Sequence, residues 1–253
     1  MTALLLDVGN TRLKWGVLED GTIRRTGHIS HASIRESGLA ALTSKLPRDV
    51  DAVMASNVAG PSFATRLAGV IGLHCGQDVH FAHSERSACG VTNGYRQPRR
   101  LGVDRWVAII GAWAEFHKAC LVVDAGTAVT IDAIDSSGQH LGGQIVPGIG
   151  LMREALAAHT SDLPKVTSRT MKAAGGMDMF GNSTTAAITH GAFGAVVGAI
   201  EHATAAIREG GYRKPGVVLT GGDASRILTA LGGAPSHRPH LVLRGLAELV
   251  DTP

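Results

Sequence analysis

The sequence predicts an α/β protein of two similar halves, each a mixed β-sheet flanked by helices. Three observations lead there. Leu4-Leu5-Leu6-Asp7-Val8-Gly9-Asn10-Thr11 near the start and Leu121-Val122-Val123-Asp124-Ala125-Gly126-Thr127 near the middle share one pattern: an apolar run, an aspartate, a glycine and a threonine. Each copy continues into a second strand-like run, Leu13 to Leu18 and Ala128 to Ile134, so each reads as a hairpin. Stretches of helical and strand periodicity then alternate, as they do where helices cover a mixed sheet.

Strands are expected at Ala3 to Leu6, Leu13 to Leu18, Ala52 to Ala55, Val79 to Ala82, Cys120 to Val123, Ala128 to Ile134, Val217 to Leu219 and Leu241 to Leu243. Between Arg105 and Lys118, the residues Trp106, Ile109, Ile110 and Trp113 repeat at helical spacing. Further helices are expected at Leu151 to Ala158, Ser183 to Arg208, Ala224 to Leu231 and Leu246 to Val250. The long one carries Gly191, Gly194 and Gly198 along one side. Glycine costs roughly 1 kcal/mol relative to alanine inside a helix, so three of them point to close approach of another backbone, within the chain or across a dimer two-fold. Pro98 and two arginines within Gln97 to Gly102 mark the boundary between halves, giving domains 1–101 and 102–253.

Composition narrows the function classes. With 44% hydrophobic and 18% charged residues, each half can bury a core. Aromatics make up only 4% and the net charge is +3, which argues against a nucleic-acid binder. Cys75, Cys89 and Cys120 form no Cys-x-x-Cys pair, and the first residues enter a core strand without a basic, apolar leader. A reduced, cytoplasmic setting is the expectation, with no membrane span.

The motifs point to phosphate chemistry. A buried strand delivers Asp7 or Asp124 to its end. The glycine turn that follows frees N–H groups for a phosphate, and the carboxylate can hold a metal or its water. No Gly-Lys dipeptide, Gly-x-Gly-x-x-Gly, Gly-x-Ser-x-Gly or His-Glu-x-x-His occurs, which removes four familiar active sites. His80 and His83 lack a second ligand pair for zinc. Thr220-Gly221-Gly222-Asp223 reads equally as a helix cap or as a turn that packs on a nucleotide. Arg86, Arg96, Arg99, Arg100 and Arg105 form either a solvated basic loop or a positive wall for an anionic substrate. Asp104 and Arg105 suit either a helix start or transfer chemistry, with a carboxylate to accept a hydroxyl proton and a guanidinium to grip an anion. Gly142 to Gly150 is a glycine-rich strand and turn that implies close backbone approach.

Asp7-Val8-Gly9-Asn10-Thr11, Gly102-Val103-Asp104-Arg105, Asp124-Ala125-Gly126-Thr127-Ala128 and Gly143-Gln144-Ile145-Val146-Pro147-Gly148 together resemble, in order and spacing, the type III pantothenate kinases. That family belongs to the acetate kinase, sugar kinase, heat-shock and actin superfamily, and the resemblance covers essentially the whole chain. It implies two actin-like (ribonuclease H-like) domains and ATP-dependent phosphorylation of pantothenate, the first step toward coenzyme A. Asp104 matches the family's general base. Asp7, Val8, Gly9, Asn10, Thr11, Arg12, Leu13 and Lys14 match its first ATP phosphate loop, and Thr127 a second ATP contact. Asp124 matches the carboxylate that binds potassium or ammonium, with Mg²⁺ arriving on ATP. Tyr95, Gly102, Val103, Asp104 and Arg105 match the pantothenate pocket. Thr184 matches a substrate contact in its own or the neighbouring subunit of a homodimer. The rival readings are another phosphotransferase of the superfamily, a sugar kinase or polyphosphate phosphatase, and a non-enzymatic regulatory accessory protein.

Overall fold

A computed structural model describes residues 1–159, 180–212 and 215–250. Twelve strands and eight α-helices of this description are named in chain order. They fall into two compact units, the first made of 1–118, 134–142 and 240–253 and the second of 119–133 and 143–239.

In the first unit, β1 (Thr2–Val8), β2 (Arg12–Glu19), β3 (Thr22–Ser30), β4 (Ala52–Asn57) and β5 (Val79–Phe81) form one sheet in the order β3-β2-β1-β4-β5. β1 runs antiparallel to β2 and parallel to β4. As a central strand it is buried from Ala3 to Val8, which is why it reads as an unbroken apolar run. Leu4, Leu6 and Val8 meet Ile34 of α1 (His31–Ser37), Leu42 of α2 (Ala40–Thr43) and Phe63, Leu67 and Ile71 of α3 (Pro61–Cys75). Those last three recur at i, i+4, i+8, and Pro61 sits in the first turn, where its missing N–H costs nothing.

The ribbon of β6 (Ser87–Ala88) and β7 (Val91–Thr92) precedes α4 (Val103–Phe116), which buries an unbroken run from Arg105 to Ala112. Beside it lies α8 (Leu241–Val250), which also packs on β1, β2 and β4. Two glycines permit this approach. A Cβ on Gly245 would strike the Val107 carbonyl, and one on Gly111 would strike the Leu241 carbonyl. Leu241 to Leu243, expected as a strand, is therefore the first turn of a helix. Three consecutive apolar residues fit either period, and burial of all three beside α4 settles the matter. The boundary expected at residue 101 also differs from the compact units, because α4 makes its packing contacts with α8 and β4 of the first unit.

The second unit repeats the plan with β8 (Cys120–Ala125), β9 (Ala128–Ile134), β10 (His140–Pro147), β11 (Gly216–Thr220) and β12 (Ser236–His237) in the order β10-β9-β8-β11-β12. Its helices are α5 (Ile149–His159), α6 (Thr184–Glu209) and α7 (Ala224–Leu228). Ala192, Val196, Ile200, Ala203 and Ile207 form one stripe of α6 against Leu121, Val123 and Ile131. Fully burying a Val, Leu or Ile contributes roughly 1.5–3 kcal/mol, so this stripe carries much of the unit's stability. Gly191, Gly194 and Gly198 lie on the other side of α6, exposed, and a Cβ on any of them would meet no atom among the described residues. β12 lies within the stretch from Gly232 to Pro239, and its two residues pair with β11.

Candidate active site

Both aspartate turns form, and each has a defined structure within its own unit. Asp7 and Val8 end β1 buried, and the chain turns through Gly9, Asn10 and Thr11 with the Gly9 N–H donating to the Arg12 carbonyl at 3.1 Å. Arg12, Asn10 and Thr11 are exposed, whereas Leu13 is fully buried in β2. Sheet register sets Asp7 opposite Lys14 on one side and Ser56 on the other. Lys14 Nζ lies 3.8 Å from Asp7 Oδ2, so a cation already stands beside the carboxylate at the strand end. Gly9 and Gly126 have ordinary negative φ, so left-handed backbone does not explain them. At Gly9 a Cβ would come within 3.3 Å of the Arg12 carbonyl, and the tightness of the turn is the reason for glycine there.

His31 is a neighbour of this turn that no motif announces. Its backbone N–H donates to the Thr11 carbonyl at 2.9 Å, and its ring stacks on Phe63 at 4.9 Å between centroids. Burial holds the imidazole pKa below its ordinary value and the Arg35 charge adds to that, against a hydrogen bond to the Gly9 backbone that raises it. His31 thus braces the turn twice, its ring at the Gly9 backbone and its own N–H at the Thr11 carbonyl.

In the second unit three glycine segments meet at one turn. Gly126 N–H donates to the Ala128 carbonyl at 3.0 Å, and Gly148 N–H to the Thr127 carbonyl at 2.9 Å. A Cβ on Gly148 would collide with the Gly126 and Thr127 carbonyls. Gly221, at φ +95°, lies against Ala125 and the Asp124 carboxylate, while Asp223 N–H donates to the Ala125 carbonyl at 3.1 Å. Asp124 is half-buried at the end of β8, in register with Thr220, and Thr127 is exposed on the turn. The glycine clusters at 142–150 and 220–223 therefore pack on the second aspartate turn. Asp223 is the N-cap residue of α7 but makes no side-chain cap bond.

The remaining expected residues gather at the start of α4. Gly102, not Asp104, is the N-cap, and Val103 and Asp104 are half-buried in the first turn. Asp104 Oδ1 accepts from the Arg105 backbone N–H at 2.8 Å. Arg105 is buried, only 7% exposed, and does not lie on the surface. Its Nη1 donates to Tyr95 Oη at 2.8 Å, and its guanidinium lies 5.5 Å from the centre of the same ring. Burying a guanidinium is expensive unless it is hydrogen-bonded, and a site for an anion is one reason to keep it there. Arg96, Arg99 and Arg100 of the same loop are exposed. Thr184 is the exposed first residue of α6, following Ser183, whose Oγ accepts from the Ala186 N–H. None of the contacts above joins it to Tyr95 or Arg105.

A family model described as type III pantothenate kinase matches residues 3–206. A type III pantothenate kinase of Aromatoleum aromaticum is 40% identical, over 96% of this chain and 96% of its own. One from Nitrosococcus oceani is 35% identical, over 97% of this chain and 92% of its own. Among solved structures, a Campylobacter jejuni protein described as a Baf family transcriptional activator superposes with a TM-score of 0.64 at 20% identity, covering 98% and 96% of the two chains. That likeness concerns the fold alone, which is the actin-like one.

Proposed function

This chain belongs to the type III pantothenate kinase family, and from that premise we propose that it transfers the γ-phosphoryl group of ATP to the primary hydroxyl of pantothenate, forming 4'-phosphopantothenate. The observation that carries the reading is the buried Arg105, tied to Tyr95 with the Asp104 carboxylate beside it at the helix start. Pantothenate is a hydroxy acid. Arg105 holds its carboxylate, Tyr95, Gly102 and Val103 line its pocket, and Asp104 accepts the hydroxyl proton as the oxygen attacks.

The backbone N–H groups of Asn10 and Thr11, the side chains of Asn10 and Arg12, and Lys14 hold the ATP phosphates, with Gly9 closing the turn and Val8 and Leu13 fixing it in the sheet. Thr127 adds a second contact. Asp7 offers the hard oxygen donor that Mg²⁺ prefers, and Mg²⁺ bound with ATP supplies neutralisation of phosphate charge. Asp124 holds a potassium or ammonium ion. Most of the acceleration comes from positioning and charge, since phosphoryl transfer asks little covalent chemistry of the protein.

The test is ADP release measured with pantothenate, with simple sugars and with polyphosphate, each in potassium and in sodium buffer. Release that depends on pantothenate and is faster in potassium supports the reading. No release with pantothenate removes it, and equal rates in the two salts remove the cation from Asp124.

The working form is a homodimer that uses the exposed Gly191, Gly194 and Gly198 side of α6 and carries Thr184 toward the neighbouring subunit's substrate. Supporting this is a helix with three glycines and no neighbour within the described chain to explain them. Replacing Gly194 with leucine is expected to overpack the contact by about 1–3 kcal/mol. Light scattering should then show monomers with reduced activity. A Gly194→Leu protein that remains an active dimer counts against this face.

A further inference from the structure

From Glu85 to Leu101 the chain carries little regular structure, only β6, β7 and a short 3-10 turn at Pro98–Arg100, yet it must hold Tyr95 still. One side chain ties it together. Asn93 is only 2% exposed. Its Nδ2 donates to the Glu85 carbonyl at 3.0 Å and to the Pro98 carbonyl at 3.3 Å. Its Oδ1 accepts from the Tyr95 N–H at 2.9 Å, and its own N–H donates to the Arg86 carbonyl at 2.9 Å. The amide thus uses both donor hydrogens and an acceptor, bridging a residue eight positions before it and one five positions after.

A second set of contacts grips the same tyrosine. Gly94 N–H donates to His140 Nδ1 at 3.4 Å, and a Cβ on Gly94 would strike the His140 carbonyl. His140 is fully buried and stacks on the Tyr95 ring at 5.9 Å and 19°. Gln139 Nε2 donates to the carbonyls of Thr92, at 3.3 Å, and His140, at 2.8 Å. Tyr95 is therefore fixed by its backbone through Asn93 and by its ring through His140, and it is the tyrosine hydroxyl that receives Arg105.

We propose that Asn93 is a positioning residue for the acceptor substrate: by cross-linking Glu85, Pro98 and Tyr95 it sets the Tyr95–Arg105 pair, and its loss weakens binding of the anionic hydroxy acid but not of ATP. The proposal rests on the assignment of Tyr95 and Arg105 to the pantothenate pocket. No sequence motif marks Asn93, because its partners are loop carbonyls whose positions only the folded chain defines.

Asn93→Asp is the sharpest probe. It keeps the acceptor for the Tyr95 N–H but turns a carboxylate oxygen toward two carbonyls that now lack a donor. The KM for pantothenate is expected to rise about tenfold or more, the worth of one to two lost hydrogen bonds, while the KM for ATP stays within about twofold. A general structural lesion moves both constants, so a parallel rise overturns the proposal, as does an unchanged pantothenate KM. Should Asn93→Asp fail to fold, Gln139→Ala removes only the two outer ties, and a rise of about threefold in pantothenate KM alone is expected, chiefly from the 3.3 Å bond that holds the Thr92 carbonyl beside Asn93. A folded Gln139→Ala protein with wild-type constants overturns the proposal. A wild-type protein inactive on pantothenate instead overturns the functional reading itself, and the proposal with it.

Discussion

With Asp104 as the proposed general base, Asp104→Asn is expected to lower kcat by about 10²–10⁴-fold and to leave ATP affinity close to wild type. The factor is what a positioned general base contributes. The substitution is clean because Asp104 has two separable jobs. Its Oδ1 accepts from the Arg105 N–H at 2.8 Å, and an asparagine oxygen can take over that bond. An amide cannot accept the hydroxyl proton, so the chemical step is lost while this bond is kept. The carboxylate also favours the helix start through the dipole of α4, worth about 0.3–1 kcal/mol, so a small fall in stability accompanies the change. Steady-state rates, calorimetric titration with nucleotide and a melting curve separate these effects. Retention of more than about a tenth of the wild-type rate, outside what a general base permits, would show Asp104 to be only a helix-start residue.

Gly245→Ala is the change with the largest expected effect on stability. α4 and α8 meet at reciprocal glycines, and the added methyl would overlap the Val107 carbonyl, a backbone atom that cannot swing aside like a side chain. The helices must separate, and the buried surfaces of Trp106, Ile110, Leu241 and Leu246 open with them. Alanine gains about 1 kcal/mol of helix propensity. Overpacking typically costs 1–3 kcal/mol, and about 3–4 kcal/mol where backbone must shift as here, so a net loss of about 2–3 kcal/mol is expected. At about 2–4 °C per kcal/mol for a chain of this size, Tm falls by roughly 4–12 °C. A shift under about 2 °C would mean that the helices yield at little cost, contrary to how packed interiors behave. The kinase assay at low temperature should remain near normal, since neither glycine lies among the substrate residues.

The sequence made the two aspartate turns readable because each is local. A fully buried strand leaves an unbroken apolar run, and the Asp-x-Gly that follows states where it stops. α4 was readable from its period. β3 was not expected, since it is an edge strand whose residues Thr22, Arg24, Arg25, Thr26 and His28 are exposed, leaving no alternation to detect. α3 was also absent from the expectation, although its i, i+4, i+8 apolar residues and Pro61 carried a usable signal. Tyr95 entered only through the family resemblance, because nothing within a few residues distinguishes it. Its supports, Asn93 and His140, are joined through contacts spanning up to 46 residues. Glycine gave a mixed lesson: those of α6 stood out as a row, yet the close approach of helix to helix seen among the described residues is at Gly111 and Gly245, one on each of two helices.

The first unit takes its last helix from beyond the second, and this sets an order on biosynthesis. When the ribosome has released residues 1–118, the sheet bearing Asp7 still lacks Leu241, Leu243 and Leu246, which cover it and α4. Domains of a nascent chain ordinarily complete themselves from the N-terminus forward. Here the N-terminal one is left with an open apolar flank throughout translation of residues 119–239, while the described strands and helices of the second unit are all available first. The sheet that bears Asp7 is thus begun first and finished last, with an apolar flank left open in the interval.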